Sequence, residues 1–331
     1  VFEAMGIGNI SKLRNAVMQF GKSTWASNRP LSMLVLVSAV FLVVCLVNLF
    51  LDRDQINNEI AWIKPTKFSI SFLLYAATMI WLGQFIKSGY DLFHRASVAT
   101  LLGATVELIA ITLQVFRGTT SHFNTSTPFD HAVFIVIKIG IIPVAGAVLV
   151  SYILMLKQRE LPAVIDSALH WGLFLTLVGC IPAVLMLLPD PLQDSITQYQ
   201  VFNGHTVGHP EGGPGLPFLG WSTVAGDMRA SHFLGIHALQ VLPLAGWIIK
   251  TFFSNLSERR QRALVWNVGY SYLAAVVILM WQALRAESLI NPGRTTVLAA
   301  GCVFGLSLVC ALTTFKMPPG FLPPSFLPRS R

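Results

Sequence analysis

Residues 31–51 read LSMLVLVSAVFLVVCLVNLFL. No charged side chain interrupts the run, and at 1.5 Å per residue a helix of this length is about 30 Å long, the thickness of a bilayer's hydrocarbon core. A run of this kind predicts a transmembrane helix, and it has companions. Similar stretches fall at about 68–86, 97–116, 131–155, 163–188, 232–253, 263–284 and 295–315. The pattern predicts an all-α integral membrane protein, a bundle of about eight transmembrane helices. A long connection, about 189–231, separates the fifth from the sixth.

Composition points the same way. The 331 residues are 54% hydrophobic and only 11% charged, where a soluble domain carries about a quarter charged residues. Mean hydropathy is +0.64. The net charge of +8 does not indicate nucleic-acid binding, because the basic residues sit in short segments between apolar runs. With the N-terminus taken as cytoplasmic, 15 of the 23 Lys and Arg fall on that side and seven on the other, with Lys138 inside a span. The positive-inside rule then puts both termini in the cytoplasm.

Three regions are expected. Residues 1–30 form a cytoplasmic segment in which Ile10, Leu13, Val17 and Phe20 recur at helical spacing, a surface amphipathic helix. Residues 31–315 form the transmembrane domain. Residues 316–331 form a Pro-rich cytoplasmic tail. The first apolar run starts late and is long enough to span, so no cleavable signal peptide is expected. Cys45, Cys180, Cys302 and Cys310 lie inside the spans without C-x-x-C spacing and read as packing residues. Phosphate-loop, H-E-x-x-H, C-x-x-C-H and G-x-S-x-G motifs are absent. No 20–50-residue repeat is evident.

Ionisable residues concentrate on the outer side. Six of the eight histidines map there: His122, His131, His205, His209, His232 and His237. Asp130, Glu211, Asp227, Arg117 and Arg229 join them. The segment Gly226–Gln240, GDMRASHFLGIHALQ, carries two of these histidines into the sixth span. On a regular helix His237 lies about 140° and Gln240 about 80° from His232. That makes one broad polar face, but not the i, i+4 stripe on which two ligands share a metal. Deeper, Glu107 lies about 13 Å from the outer end of the third span and Lys138 about 10 Å from that of the fourth, which suggests an intramembrane ion pair. Glu107 shares a small, polar stripe with Thr100, Gly103, Ala104, Ala110 and Gln114. Asp166 and His170, at i, i+4 in the fifth span, read as a clasp or a relay step. Gly301 and Gly305 form a G-x-x-x-G packing motif. Asn124-Thr125-Ser126 matches a glycosylation acceptor. Trp62, Lys64 and Lys67 in AWIKPTKF read as an interfacial anchoring belt.

The segments WIKPTKFSIS, RGTTSHFN and GHPEGGPGLPFLGWSTVAGDMRASHFLGIHALQVLP resemble parts of an uncharacterised group of bacterial multi-span membrane proteins. The resemblance implies a bacterial cytoplasmic (inner) membrane. It carries no activity and no functional residue.

Three readings remain open. In the first, the chain is a metal- or haem-dependent membrane enzyme or redox protein. His122, His131, His232, His237 and Asp130 are then candidate ligands of a divalent transition metal, and His131 and His237 are the axial pair of a haem b. His232, His237, Asp227, Arg229, Glu107 and Lys138 are the candidate catalytic groups. In the second, it is a transporter with a Glu107–Lys138 relay and the Gly/Pro-rich loop as an outer gate. In the third, it is a structural subunit with membrane-complex partners. Besides the lipid bilayer, the expected partner is a small molecule or lipid in an outward-facing cavity.

Overall fold

The computed structural model describes residues 27–158, 161–188 and 204–316. The amphipathic segment and all of the Pro-rich tail but its first residue lie outside the described residues. In chain order the elements are α1 (Arg29–Leu51), β1 (Gln55–Ile56), β2 (Glu59–Ile60), α2 (Ile63–Gly83), α3 (Tyr90–Phe116), α4 (Pro128–Met155), α5 (Ala163–Leu187), β3 (Thr206–Val207), β4 (Gly226–Asp227), α6 (Met228–Ile236), α7 (Ala238–Phe252), α8 (Glu258–Leu284) and α9 (Arg294–Lys316). The described residues are thus all-helical apart from two short antiparallel ribbons, β1–β2 and β3–β4. Seven helices are long and apolar enough to cross a membrane, or eight if the bent pair α6–α7 counts as one. Every expected span has its helix.

Local chemistry fixes where helices start. Asn28 accepts a hydrogen bond from the Leu31 N–H and Pro30 occupies the first turn of α1, where its missing N–H costs nothing. The same Asn28 donates to Ser97 Oγ of α3 at 3.0 Å. Thr127 caps α4 and Asp227 caps α6 in the same way, satisfying N–H groups that have no partner within the helix.

Packing follows an inside-out pattern. Leu36, Val40, Val43, Leu102, Ile139 and Phe304 are among the large side chains left exposed, while Ser69, Ser97, Thr100, Gln114 and Ser151 are buried. Helices in an apolar surround gain little by burying leucine, so their contacts run through small and polar residues. The α3 stripe of Thr100, Gly103, Ala104, Glu107, Ala110 and Gln114 is buried throughout. At its centre, a Cβ added to Gly103 would lie 2.2 Å from the Gly140 carbonyl oxygen of α4. A second such contact joins α5 to α6, where a Cβ on Gly235 would lie 2.3 Å from Gly179 Cα. One apolar cluster around Met79, Phe93, Val148, Leu173 and Leu239 links the first helices to the later ones.

The sixth span departs from expectation. It is bent by 49° between α6 and α7, and His237 is at once the last cap of one and the first of the other. The bend lies between Gly235, pinned against α5, and Pro243, which cannot donate to the carbonyl four residues back. Tyr272 of α8 donates to the Leu234 carbonyl at 2.6 Å, supporting the backbone just before the break. The Gly301/Gly305 motif is not used for close packing, since a Cβ at either position meets nothing within 4 Å.

These contacts make a prediction. Gly235→Val forces α5 and α6 apart, and overpacking of this kind costs about 1–3 kcal/mol. The detergent-solubilised protein should melt several degrees lower, on the order of 2–4 °C per kcal/mol. Gly301→Val should leave the melt unchanged. Equal melting of the two variants would remove the Gly179–Gly235 contact from the account.

Candidate functional site

At one end of the bundle the connections between helices converge. The described part of the long connection, residues 204–227, folds over this end and is tied to four elements. Asn58 Nδ2, in the β1–β2 turn, donates to the Gly212 carbonyl. Lys67 Nζ of α2 donates to the Leu219 carbonyl at 3.1 Å. The Arg229 guanidinium of α6 donates to the Gly220 carbonyl at 2.7 Å. Gly226 presses on Ala283 of α8 so closely that a Cβ would lie 2.0 Å from its carbonyl oxygen. Gly220 takes a φ of +68° and faces the Glu59 carboxylate, a position only glycine fills without strain. Residues 189–203 lie outside the described residues.

Ion pairs stitch this cap in place. Asp227, 4% exposed, receives Arg229 Nε at 2.9 Å on one oxygen and Nη2 at 2.6 Å on the other. It also accepts the N–H groups of Ser222 and Arg229. Lys67 meets Glu59 at 2.6 Å. Glu211 accepts from the backbone N–H groups of His205 and Thr206 and faces His205 Nδ1 at 3.1 Å. Asp130 accepts from Gln114, Arg117 and Thr127. Asp227, Arg229 and Asp130, expected as catalytic or metal-binding groups, are therefore committed to structure. Their hydrogen-bonding capacity is spent on the fold.

Four of the six expected outer histidines do come together. His205 and His122 approach the same Phe123 ring, at centroid distances of 4.9 and 6.3 Å. Further along, His232 Nδ1 lies 2.7 Å from the Gly179 carbonyl, and His237 meets Phe233 edge-on at a centroid distance of 4.3 Å. His205 thus belongs to the cap and His237 to the bend, with His232 between them on α6. Burial holds His122 well below the ordinary histidine value, and the nearby charges of Lys64 and His205 add to that. Burial also lowers His205; Glu211 opposes the shift, and Arg229 and Lys64 reinforce it. Both side chains nonetheless keep part of their surface accessible.

Other expectations are corrected. His131 is exposed and His209 turns to its neighbour's carbonyl at 2.9 Å, so neither joins these four. His131 stands exposed in the first turn of α4 and His237 at the α6–α7 bend, and no contact between them is found among the described residues. Among the described residues, no group of three or more His, Cys, Asp or Glu is arranged to hold a metal ion. The donors at hand thus do not fit the metal or haem site, His122, His131, His232, His237 and Asp130 included. The Glu107–Lys138 pair is not formed either. Lys138 Nζ sits 4.6 Å above the Phe134 ring. Glu107 is 2% exposed, and its Oε2 has no hydrogen-bond partner among the described residues. Asp166 and His170 do touch, at 3.3 Å. Asn124 is no free acceptor, since its buried amide nitrogen donates to Thr119 and Thr120.

Sequence reasoning placed Lys64 and Lys67 at the outer interface as anchors but missed their part in holding this end, and it missed Glu59. A signal was present. Two lysines at i, i+3 in the first turn of a helix repel one another and oppose the helix dipole, so they need acidic partners from elsewhere. Lys67 has one. Lys64 makes no ion pair or hydrogen bond among the described residues. Comparison of the chain with protein-family models, with curated proteins and with solved structures finds no match.

Two predictions follow from the pairs and the histidines. Asp227→Ala strands the Arg229 guanidinium and uncaps α6; losing one partner of a buried pair costs about 3 kcal/mol or more, so the melting temperature should drop sharply. A melt within a degree of the parent would mean that the pair does not hold the cap. The second concerns pH. His122 and His205 bind fewer protons folded than unfolded, so stability at this end falls as pH drops below the ordinary histidine value of 6.5. Burial alone would raise Glu211, but His205 and Arg229 outweigh it and hold the carboxyl low. Its contribution is present above its ordinary value of 4.5 and fades below it, with the same sign. Hydrogen exchange of residues 204–227, corrected for intrinsic rate, should show protection falling between pH 8 and 5. Protection that rises on acidification would overturn this account.

Proposed function

We propose that the chain is a multi-pass protein of the cytoplasmic membrane, with both ends inside and the cap outside, that carries a small polar solute across in exchange with, or together with, a proton handled by Glu107. The distribution of Lys and Arg supports the orientation. The observation that carries the reading is Glu107 itself. It is buried mid-helix beside the Gly103–Gly140 crossing, with a carboxylate oxygen unpartnered among the described residues. A charged carboxylate so placed costs several kcal/mol, so a proton or an arriving cation must neutralise it during some part of a cycle.

The bent sixth span supports the same reading. Transporters place binding groups where a span is interrupted and backbone and side-chain polar atoms are released. At the α6–α7 bend His237 Nε2 and Gln240 Oε1 are buried without partners among the described residues, while Gln240 Nε2 reaches Thr78 of α2 at 3.3 Å. The bend thus joins the later helices to α2, which carries Lys64 and Lys67 at its outer end.

The test is proton movement in proteoliposomes loaded with a pH-sensitive dye, challenged in turn with amino acids, sugars and small carboxylates. At least one class should drive dye-reported proton flux. Glu107→Gln should cut that flux at least tenfold, and Glu107→Asp should retain part of it. Full flux in Glu107→Gln would remove Glu107 from the mechanism. Absence of flux with every class would overturn the transport reading.

A further inference from the structure

The C-terminal ends of α5 and α8 meet the cap through Met186, Ala283, Val207 and Met228, so their first turns lie at the opposite end of the bundle. There each helix sets two residues at i, i+4, one above the other on one face: Ser167 and Trp171 on α5, Arg262 and Trp266 on α8. The two pairs meet level by level. Arg262 Nε donates to Ser167 Oγ at 3.0 Å. One turn further in, the Trp171 and Trp266 rings lie edge to face with centroids 5.3 Å apart. Tyr270, a turn beyond Trp266, meets Trp171 at 4.8 Å, and Phe174 meets it at 5.9 Å. Gly269 makes room for the indole, since a Cβ there would lie 2.4 Å from Trp171 Cδ2. Trp171 is buried, whereas Tyr270 is 57% and Phe174 37% exposed, so the ladder of rings opens onto the surround of the bundle.

The guanidinium at the head of this ladder is only half matched. Among the described residues the Arg262 Nη groups make no hydrogen bond and no ion pair. The acids adjacent in sequence are engaged elsewhere. Asp166 faces His170 at 3.3 Å, and Glu258, one turn before Arg262, accepts from the Ala163 N–H at 3.3 Å. The opening of α8, ERRQR, holds three arginines and one glutamate, a balance that opposes the helix dipole and calls for an anion.

We infer that the α5–α8 seam is a binding site for an anionic phospholipid, with its phosphate on Arg262 beside the Ser167 hydroxyl and an acyl chain along Trp266, Tyr270 and Phe174. The N–H bonds of the two Nη groups suit a pair of phosphate oxygens. From Arg262 to Tyr270 the helix rises about 12 Å, so a lipid held by its phosphate lays the upper part of its chain against the rings. Aromatic side chains favour this level of the bilayer, and basic seams between spans favour anionic headgroups. A zwitterionic headgroup would bring a further cation towards the arginines. A soluble phosphate ester shares the headgroup chemistry but leaves the rings uncovered. The site requires only that the bundle spans a bilayer, and it is independent of Glu107 and of what the chain carries.

The experiment uses the full chain purified in detergent and exchanged free of co-purified lipid. It is titrated with dioleoyl phosphatidylglycerol or dioleoyl phosphatidylcholine, with bound lipid counted by native mass spectrometry. The parent should take up phosphatidylglycerol about fivefold more tightly, the worth of one arginine near an anionic headgroup. Arg262→Gln should abolish that preference and Arg262→Lys should keep part of it. Arg294→Gln, which removes an exposed arginine from the first turn of α9, should leave it unchanged. Glycerol 3-phosphate at the lipid's own concentration should not displace it. Equal uptake of the two lipids by the parent would overturn the site, and that comparison needs no variant to fold. Equal loss of preference in Arg262→Gln and Arg294→Gln would overturn it too, by showing general charge attraction. Displacement by glycerol 3-phosphate would overturn the lipid assignment in favour of a soluble phosphate ester.

Discussion

The Asp227 carboxylate is the contact on which the cap end depends. One side chain, almost fully buried, ends the β3–β4 ribbon, caps α6 and orients Arg229 through two oxygens. Arg229 in turn holds the Gly220 carbonyl. Gly220 faces Glu59, and Glu59 holds Lys67. The chain of contacts runs from the late connection to the start of α2 without leaving charged or backbone groups. Its logic is that of any low-dielectric site: a buried charge is tolerable only when matched, and matching it fixes the neighbours as well.

That logic also explains why so much polarity stands at the mouth of an apolar bundle. Backbone that leaves helical geometry must find partners for its N–H and C=O groups. Residues 204–227 do so through Glu211, Ser222, Asp227, Arg229 and Asn58. Much of what looks like chemistry in the sequence is the cost of folding an irregular segment there. The histidines are the exception. Apart from His205, which pairs with Glu211, they are not needed to satisfy the cap, and His237 Nε2 has no partner among the described residues.

The helices were legible because hydrophobic run length is set by a physical thickness and helix geometry is fixed. The α3 stripe was legible for a related reason, since small and polar residues at helical spacing have one place to go. The pairings were not. Lys138 and Glu107 match in depth and sign, but depth says nothing of rotation about α4, and rotation turns Lys138 onto Phe134. The ion pairs of Asp227, Asp130 and Glu211 depend on side-chain directions that periodicity does not encode. The bend at His237 had only indirect signals in Gly235 and Pro243. The wheel drawn for His232, His237 and Gln240 assumed a straight helix, and that assumption failed at the residue that mattered most.

Once the paired groups are set aside, the site becomes smaller and more specific. A cluster of histidines and acids suggests metal chemistry only while every member is free to act, and here most are spent. What remains among the described residues is the buried Glu107 carboxylate, one oxygen of which has no partner there. Burial there makes an unpaired charge costly. It also gives that carboxylate a natural second state, since departure of a bound cationic group leaves a proton as the remaining way to neutralise it. Solute and proton would then compete for one oxygen, and that competition is the simplest physical basis for coupling their movements.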